Sequence, residues 1–216
     1  RSSSMYYPEE GLNKINFSVY SAASIIYLLK KQRDASGISI FSDSLEYHSQ
    51  CKINSVHQKM LFAKLEEVLN QPNKNTKSNI AANLHQLAEM LHKRSLVIIF
   101  TDMMQNIGES ESLFAALQHF KYNKHDVILF HVEDKKTEVE FDFANRPYLF
   151  VDSETGEKMK LFPLQVKEQY LKASHEYKHK LKLKCAQYKI ELIEAEIGTD
   201  FSQILLPFLV KRSKLY

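Results

Sequence analysis

The run Leu96-Val97-Ile98-Ile99-Phe100, followed directly by Thr101-Asp102, is the stretch that decides the fold. Five consecutive apolar residues, three of them β-branched, are typical of a strand buried on both faces, as parallel strands usually are. In parallel α/β sheets, ligands bind at the carboxyl ends of the strands. We therefore predict a buried parallel strand over 96–100, with Asp102 at its ligand-binding end.

Strands and helices alternate on both sides of this run. Helical periodicity predicts helices over 13–33, 56–69, 78–92, 112–120, 165–185 and 201–211. Apolar runs bounded by polar turns predict further strands over 38–41, 45–50, 127–132 and 189–197. Such alternation predicts a doubly wound, mostly parallel α/β sheet.

The pattern changes after residue 135. Short apolar runs over 139–143, 148–151 and 158–162 suggest strands, and Asp152-Ser153-Glu154-Thr155-Gly156 suggests a turn between the last two. We interpret residues 137–163 as a small β-hairpin inserted into a single domain of residues 1–216.

Composition excludes several classes of protein. The 216 residues are 44% apolar and 25% charged, which is ordinary for a globular protein. A net charge of +3 is too small to indicate nucleic-acid binding. The sequence has no run of about 18 apolar residues, so we predict no membrane span. Two cysteines without a paired pattern favour the reducing cytoplasm.

Oxygen-bearing side chains stand at three places where the connections of such a sheet diverge. Ser2-Ser3-Ser4 precede the first helix, Thr76 precedes the third helix, and Asp102 closes the central strand. Hydroxyls and a carboxylate, without thiolate or imidazole, suit a hard cation such as Mg²⁺. Such a site leaves one coordination position for an acidic side chain of a partner. In the alternative interpretation the serines form a polar loop, and Thr76 and Asp102 cap helices.

These positions resemble the metal-ion-dependent adhesion site of von Willebrand factor A domains. The stretches 2–5, 37–43, 100–102 and 151–156 resemble, in order and spacing, one group of that superfamily. Within that superfamily the chain resembles the bacterial group associated with MoxR ATPases, domain-of-unknown-function family 58. The resemblance implies a metal-ion-dependent adhesion site with the motif Asp-x-Ser-x-Ser, in which Ser2 and Ser4 match the serines. Thr76 then matches the family's threonine, although Lys74-Asn75 precede it where glycine is usual, and Asp102 matches the second aspartate.

The resemblance also implies that the motif's first aspartate would precede Arg1, at the end of a first, central strand. We therefore expect the sequence to be truncated at its N-terminus. Mg²⁺, or another divalent cation, is expected in the full-length protein and should bind weakly or not at all to these 216 residues. The slot of the central strand should be open, or filled by another segment or a neighbouring molecule.

The function implied by the resemblance is that of a cytoplasmic, non-catalytic interaction module. Its partner would contribute an acidic side chain at the metal, and a MoxR-type AAA+ ATPase is the implied companion. The alternative is a metal-dependent hydrolase on the same scaffold that uses Asp102 and Asp43. No glycine-rich nucleotide-binding motif is present in the sequence.

One motif resembles a zinc-protease signature, the run His175-Glu176-Tyr177-Lys178-His179. At 100° per residue from Tyr170, the two histidines fall at about 140° and 180°, opposite the apolar face of this helix. We therefore predict a solvated helix face, and the same for His85, Glu89 and His92. Neither cysteine stands in a recognisable catalytic pattern.

Overall fold

The computed structural model describes residues 2–71, 80–92, 94–102, 110–152 and 156–213. Its helices are α1 (Lys14–Gln32), α2 (Ser55–Asn70), α3 (Ile80–Met90), α4 (Ser110–Tyr122), α5 (Pro163–Gln187) and α6 (Ser202–Ser213). Its strands are β1 (Ser39–Phe41), β2 (Leu45–His48), β3 (Leu96–Thr101), β4 (Asp126–Glu133), β5 (Tyr148–Val151), β6 (Lys158–Leu161) and β7 (Glu191–Glu196). None of these helices combines the length and the hydropathy needed to cross a membrane.

The central sheet consists of three parallel strands in the order β3-β4-β7. Leu96 lies opposite Asp126, and Ile128 lies opposite Glu191, so the three strands end at a common edge. All residues of β4 except the first are buried, as expected of the middle strand. The parallel strands predicted from the apolar runs are therefore confirmed.

Helices cover both faces of this sheet because successive side chains of a strand point to opposite faces. On one face, Val97 and Ile99 of β3 join a core with residues of α3, α4 and α5. On the other face, Ile98 and Phe100 pack in a core with residues of α1 and α6. The predicted doubly wound α/β fold is confirmed by this arrangement.

Helix α1 is fixed at both ends by caps. The Asn13 side chain accepts a hydrogen bond from the backbone N–H of Asn16 at 2.9 Å, as an N-cap residue does. Arg33 ends the helix in a left-handed conformation, and its N–H donates to the carbonyls of Leu29 and Lys30. The start of α1 places Lys14, only 1% exposed, in the interior near the end of β3.

A groove separates the β1–β2 pair from the central sheet. The antiparallel strands β1 and β2 form their own two-stranded sheet, and in the described ranges no strand lies between β1 and β3. Strands β1 and β3, together with α1, line a cavity of about 290 Å³. In the part of the chain that the structure describes, the space is therefore open, which is one of the three outcomes expected for the slot.

The inserted hairpin is confirmed in part. Strands β5 and β6 pair in antiparallel fashion. The third strand, predicted over 139–143, is wrong, because Lys135–Val139 form a π-helical turn and Phe141 has a φ of 47°. The alternating apolar residues of this segment instead build an aromatic cluster of Phe141, Phe143, Tyr148, Phe150 and Tyr170. The limits 137–163 of the insertion and the single domain over 1–216 stay predictions.

Replacing Leu129 by alanine tests the central position of β4. Leu129 is 0% exposed, and its truncation should lower the free energy of unfolding by about 2–5 kcal/mol because a cavity remains in a packed core. Leu206→Ala on α6, where the side chain is 63% exposed, is the control and should change it by less than about 0.5 kcal/mol. Equal effects in urea unfolding would contradict the burial of β4.

Candidate functional site

Three of the four predicted site residues come together at the carboxyl end of β3. The hydroxyl oxygens of Ser2 and Ser4 lie 2.8 Å apart, and the Ser4 side chain hydrogen-bonds to the carboxylate of Asp102. Because a carboxylate only accepts, Ser4 donates to Asp102, and Ser2 donates to Ser4. Ser2 and Asp102 are buried. Thr76 lies outside the described residues, and the role of all four as metal ligands stays a prediction.

A fourth group at this site, the ammonium of Lys14, is not among the residues predicted from the sequence. Lys14 Nζ donates to Asp102 Oδ2 at 3.0 Å and to Glu138 Oε1 at 2.6 Å. A signal was present in the sequence, because a lysine in the first turn of an apolar helix is disfavoured by the helix dipole unless anions compensate it. We call Ser2, Ser4, Lys14, Asp102 and Glu138 the carboxyl rim.

Both members of the Lys14–Asp102 pair are ionised at neutral pH. Burial alone would lower the pKa of Lys14, but attraction to Asp102 and Glu138 and their hydrogen bonds raise it to about 12. Burial alone would raise the pKa of Asp102, but the Lys14 charge and the Ser4 hydrogen bond hold it below its usual value. Removing one partner of such a buried pair typically costs about 3–5 kcal/mol.

Glu138 is held in place by the π-helical turn at the start of the predicted insertion. Its Oε2 accepts from the backbone N–H of Asp134 at 2.8 Å. The Asp134 carboxylate in turn accepts from the backbone N–H of Thr137 at 3.0 Å. The hydroxyl of Tyr170 donates to the Glu138 carbonyl at 3.1 Å. The second carboxylate of the rim is therefore fixed by the backbone of its own turn and by α5.

A second ion pair ties β4 to α5 next to the rim. Glu133, at the end of β4, accepts from Lys178 Nζ at 2.6 Å. The neighbouring His131 donates from Nε2 to the backbone carbonyl of Asp102 at 2.7 Å, because a carbonyl oxygen only accepts. The ends of β3 and β4 are thus joined by polar contacts as well as by the strand ladder.

The histidines of the zinc-protease-like run do not belong to the rim. His175 and His179 are exposed, as the helical geometry predicted, whereas Lys178 of the same run pairs with Glu133. Across the described ranges no group of three or more His, Cys, Asp or Glu residues could hold a metal ion. The predicted solvated face is confirmed for the two histidines, and Lys178 of the same helix supplies an ion pair.

The other predicted solvated face needs a correction at His85. Glu89 and His92 are exposed, but His85 is only partly exposed. Its Nδ1 lies 3.2 Å from Nδ1 of His119 on α4. Because α3 and α4 pack against each other, the side of α3 next to its apolar stripe is also covered, which the pattern of α3 alone could not indicate.

The described residues do not by themselves fit a divalent cation. Hydroxyl and carboxylate oxygens are of the chemical type that Mg²⁺ prefers. Asp102 is, however, the only carboxylate among the predicted ligands, and its charge is already matched by the buried Lys14. The expectation of Mg²⁺ stays a prediction for a ligand set that Thr76 and an upstream aspartate would complete.

Comparison with known proteins identifies the family. The model of the family described as "Protein of unknown function DUF58" matches residues 1–180. The chain belongs to this family. No curated protein matches the DUF58 chain.

A solved structure has a similar fold. The DUF58 chain is similar to the crystal structure of the conserved hypothetical protein BatB from Bacteroides thetaiotaomicron, with a TM-score of 0.55. The likeness covers 100% of this chain and 95% of that chain at 10% sequence identity. At this identity the likeness supports the fold alone.

The lowered pKa of Asp102 predicts a loss of stability in acid. The folded state holds this carboxylate ionised more firmly than the unfolded chain does, so its contribution is complete above the unfolded pKa of about 4. It is then lost as the pH falls through the lower folded pKa. The stability difference between wild type and Asp102→Asn should therefore shrink from about pH 5 downward. Urea unfolding at stepped pH measures it, and a difference that stays constant would contradict the pairing.

Proposed function

We propose that this chain is a non-catalytic protein-interaction module of the von Willebrand factor A type, working beside a MoxR-type AAA+ ATPase. The observation that carries the proposal is the buried Lys14–Asp102 ion pair at the ligand-binding end of the sheet. It holds together the start of α1, the end of β3 and the turn after β4, so the exposed residues around the buried pair have a rigid support. A docking face needs such a preorganised surface.

The two charged residues of the buried pair differ from typical catalytic groups. A general base takes up a proton near the working pH and contacts the substrate. Asp102 is 2% exposed, and its pKa is lowered. A nucleophilic lysine needs a lowered pKa, whereas that of Lys14 is raised to about 12. These properties favour docking over acid–base or covalent chemistry at the rim.

The two thiols of the chain are also poor nucleophiles. Burial raises the pKa of Cys51, and it raises the pKa of Cys185 to about 11. Both side chains are therefore protonated at neutral pH, and the thiolate is the reactive form. This supports the prediction from sequence that neither cysteine is catalytic.

The class of partner comes from the resemblance to the MoxR-associated group, and membership of the DUF58 family agrees with that resemblance. The place of docking comes from the rule that doubly wound sheets bind at the carboxyl ends of their strands. The exposed Lys136 lies in the same turn as Glu138 and so marks the solvent-facing border of the rim. Charges at the border of an interface steer association and select partners.

Capture of the ATPase by the full-length protein tests the docking face. Lys136→Glu reverses an exposed charge beside the rim and should weaken capture by about fivefold, equal to about 1 kcal/mol. Lys189→Glu makes the same charge change just before β7, at the opposite end of the sheet, and should leave capture unchanged. Pull-down with a purified MoxR-type ATPase of the same organism measures both.

Three results would contradict the proposal. The ATPase could fail to be captured by the full-length protein, or both variants could weaken capture equally. The third is that only Lys189→Glu weakens capture, because this result would indicate that the partner contacts the amino ends of the strands. Circular dichroism of each variant ensures that a loss of capture is not a loss of folding.

The rival hydrolase hypothesis has its own test. A panel of phosphatase and nuclease substrates, with and without Mg²⁺, should give no turnover with the full-length protein. Asp102 and Asp43 are the two carboxylates that this hypothesis requires. Turnover that disappears in Asp102→Ala but persists in Asp200→Ala, a change in an exposed turn, would replace the docking function by a catalytic one.

A further inference from the structure

The carboxyl rim already contains a cation. The Lys14 ammonium lies within 3.0 Å of Asp102 Oδ2 and 2.6 Å of Glu138 Oε1. The side chain of Glu138 is 15% exposed, so both carboxylates meet Lys14 largely away from water. A buried carboxylate that lost its counter-charge would be strongly destabilised.

We propose that Lys14 takes the electrostatic place of a divalent cation at this rim, so that the charges of the two carboxylates are compensated without a metal ion. The two carboxylates and the Ser4 hydroxyl, which would otherwise face a hard cation, are all engaged in one network around the ammonium. A divalent ion bound to Asp102 would lie close to a fixed positive charge in a buried environment. Lys14 and the metal therefore exclude each other.

Lys14 is held beside the rim by its backbone and by its surroundings. Lys14 is 1% exposed, and its backbone N–H donates to the carbonyl of Tyr7 at 3.1 Å. The Tyr7 ring lies with its centroid 5.9 Å from Nζ. Helix α1 is itself anchored in the core by Phe17, which is fully buried. These contacts fix the start of α1, so the Lys14 side chain leaves the backbone at a fixed point beside the rim.

The aspartate that the family resemblance implies upstream of Arg1 gives a second reason to expect weak metal binding. The two reasons make different predictions for a variant that lacks the ammonium. If Lys14 excludes the metal, its removal creates a cation site in the chain as it stands. If the upstream aspartate is essential, removal of Lys14 leaves only a destabilised rim.

Manganese binding distinguishes these cases, with Mn²⁺ as the probe because its free concentration is read directly by electron paramagnetic resonance. Lys14→Met keeps an unbranched stem and removes the charge. Wild type should bind no Mn²⁺ at millimolar concentration, and its melting temperature should be equal in Mn²⁺ and EDTA. Lys14→Met should melt lower in EDTA, bind Mn²⁺ at least tenfold more tightly than wild type, and be stabilised by it.

The matched control is the double variant Lys14→Met with Asp102→Asn. It removes both charges of the pair, so it should be more stable in EDTA than Lys14→Met and should not respond to Mn²⁺. If Lys14→Met does not fold, Lys14→Gln, which keeps a neutral hydrogen-bond donor, takes its place in the comparison. Asp102→Asn alone identifies any Mn²⁺ bound to the wild-type rim.

Two outcomes would overturn the inference. One is wild-type binding of Mn²⁺ that Asp102→Asn abolishes, because lysine and metal would then share the rim. The other is a folded Lys14 variant that gains no Mn²⁺ binding, because the lysine would then be a structural partner only. Both readouts are made without the ATPase, so a failure to capture the partner would not contradict this inference. Conversely, metal binding by wild type would not contradict the docking proposal.

Discussion

The buried ion pair between Lys14 and Asp102 joins parts of the chain that are far apart in sequence. It connects the first turn of α1 to the end of β3, and through Glu138 it reaches the turn that follows β4. These segments are the start of a helix, the end of a strand and a turn, and the charges connect them to one another. The charges hold the rim together because each would be costly to bury alone.

The hydrophobic core sets the geometry in which this pair forms. Parallel pairing of β3 with β4 places the ends of both strands at one edge, and the packing of α1 against β4 brings Lys14 to the same edge. His131 and Glu133 then add polar contacts between β3, β4 and α5. The rim is thus a consequence of a doubly wound sheet, and its chemistry comes from the few residues that the sheet brings to its end.

The adhesion-type and the enzymatic interpretations differ in the ionisation behaviour that they require of Asp102 and Lys14. A catalytic centre needs a group that can exchange a proton or donate electrons at neutral pH. At this rim the acid is more acidic and the amine more basic than usual, so each keeps its charge. This retention of charge is the reason why the docking function is proposed ahead of the hydrolase.

The sequence by itself determined the fold class, because continuous apolar runs and helical periodicity report burial directly. It also indicated that Ser2, Ser4 and Asp102 lie near one another, since they stand where the connections between elements diverge at one edge of the sheet. It could not indicate that Glu138 faces Lys14, or that 139–143 form no strand. Those features depend on which residues distant in sequence become neighbours, and on whether a buried charge finds its counter-charge, and only the tertiary structure decides both.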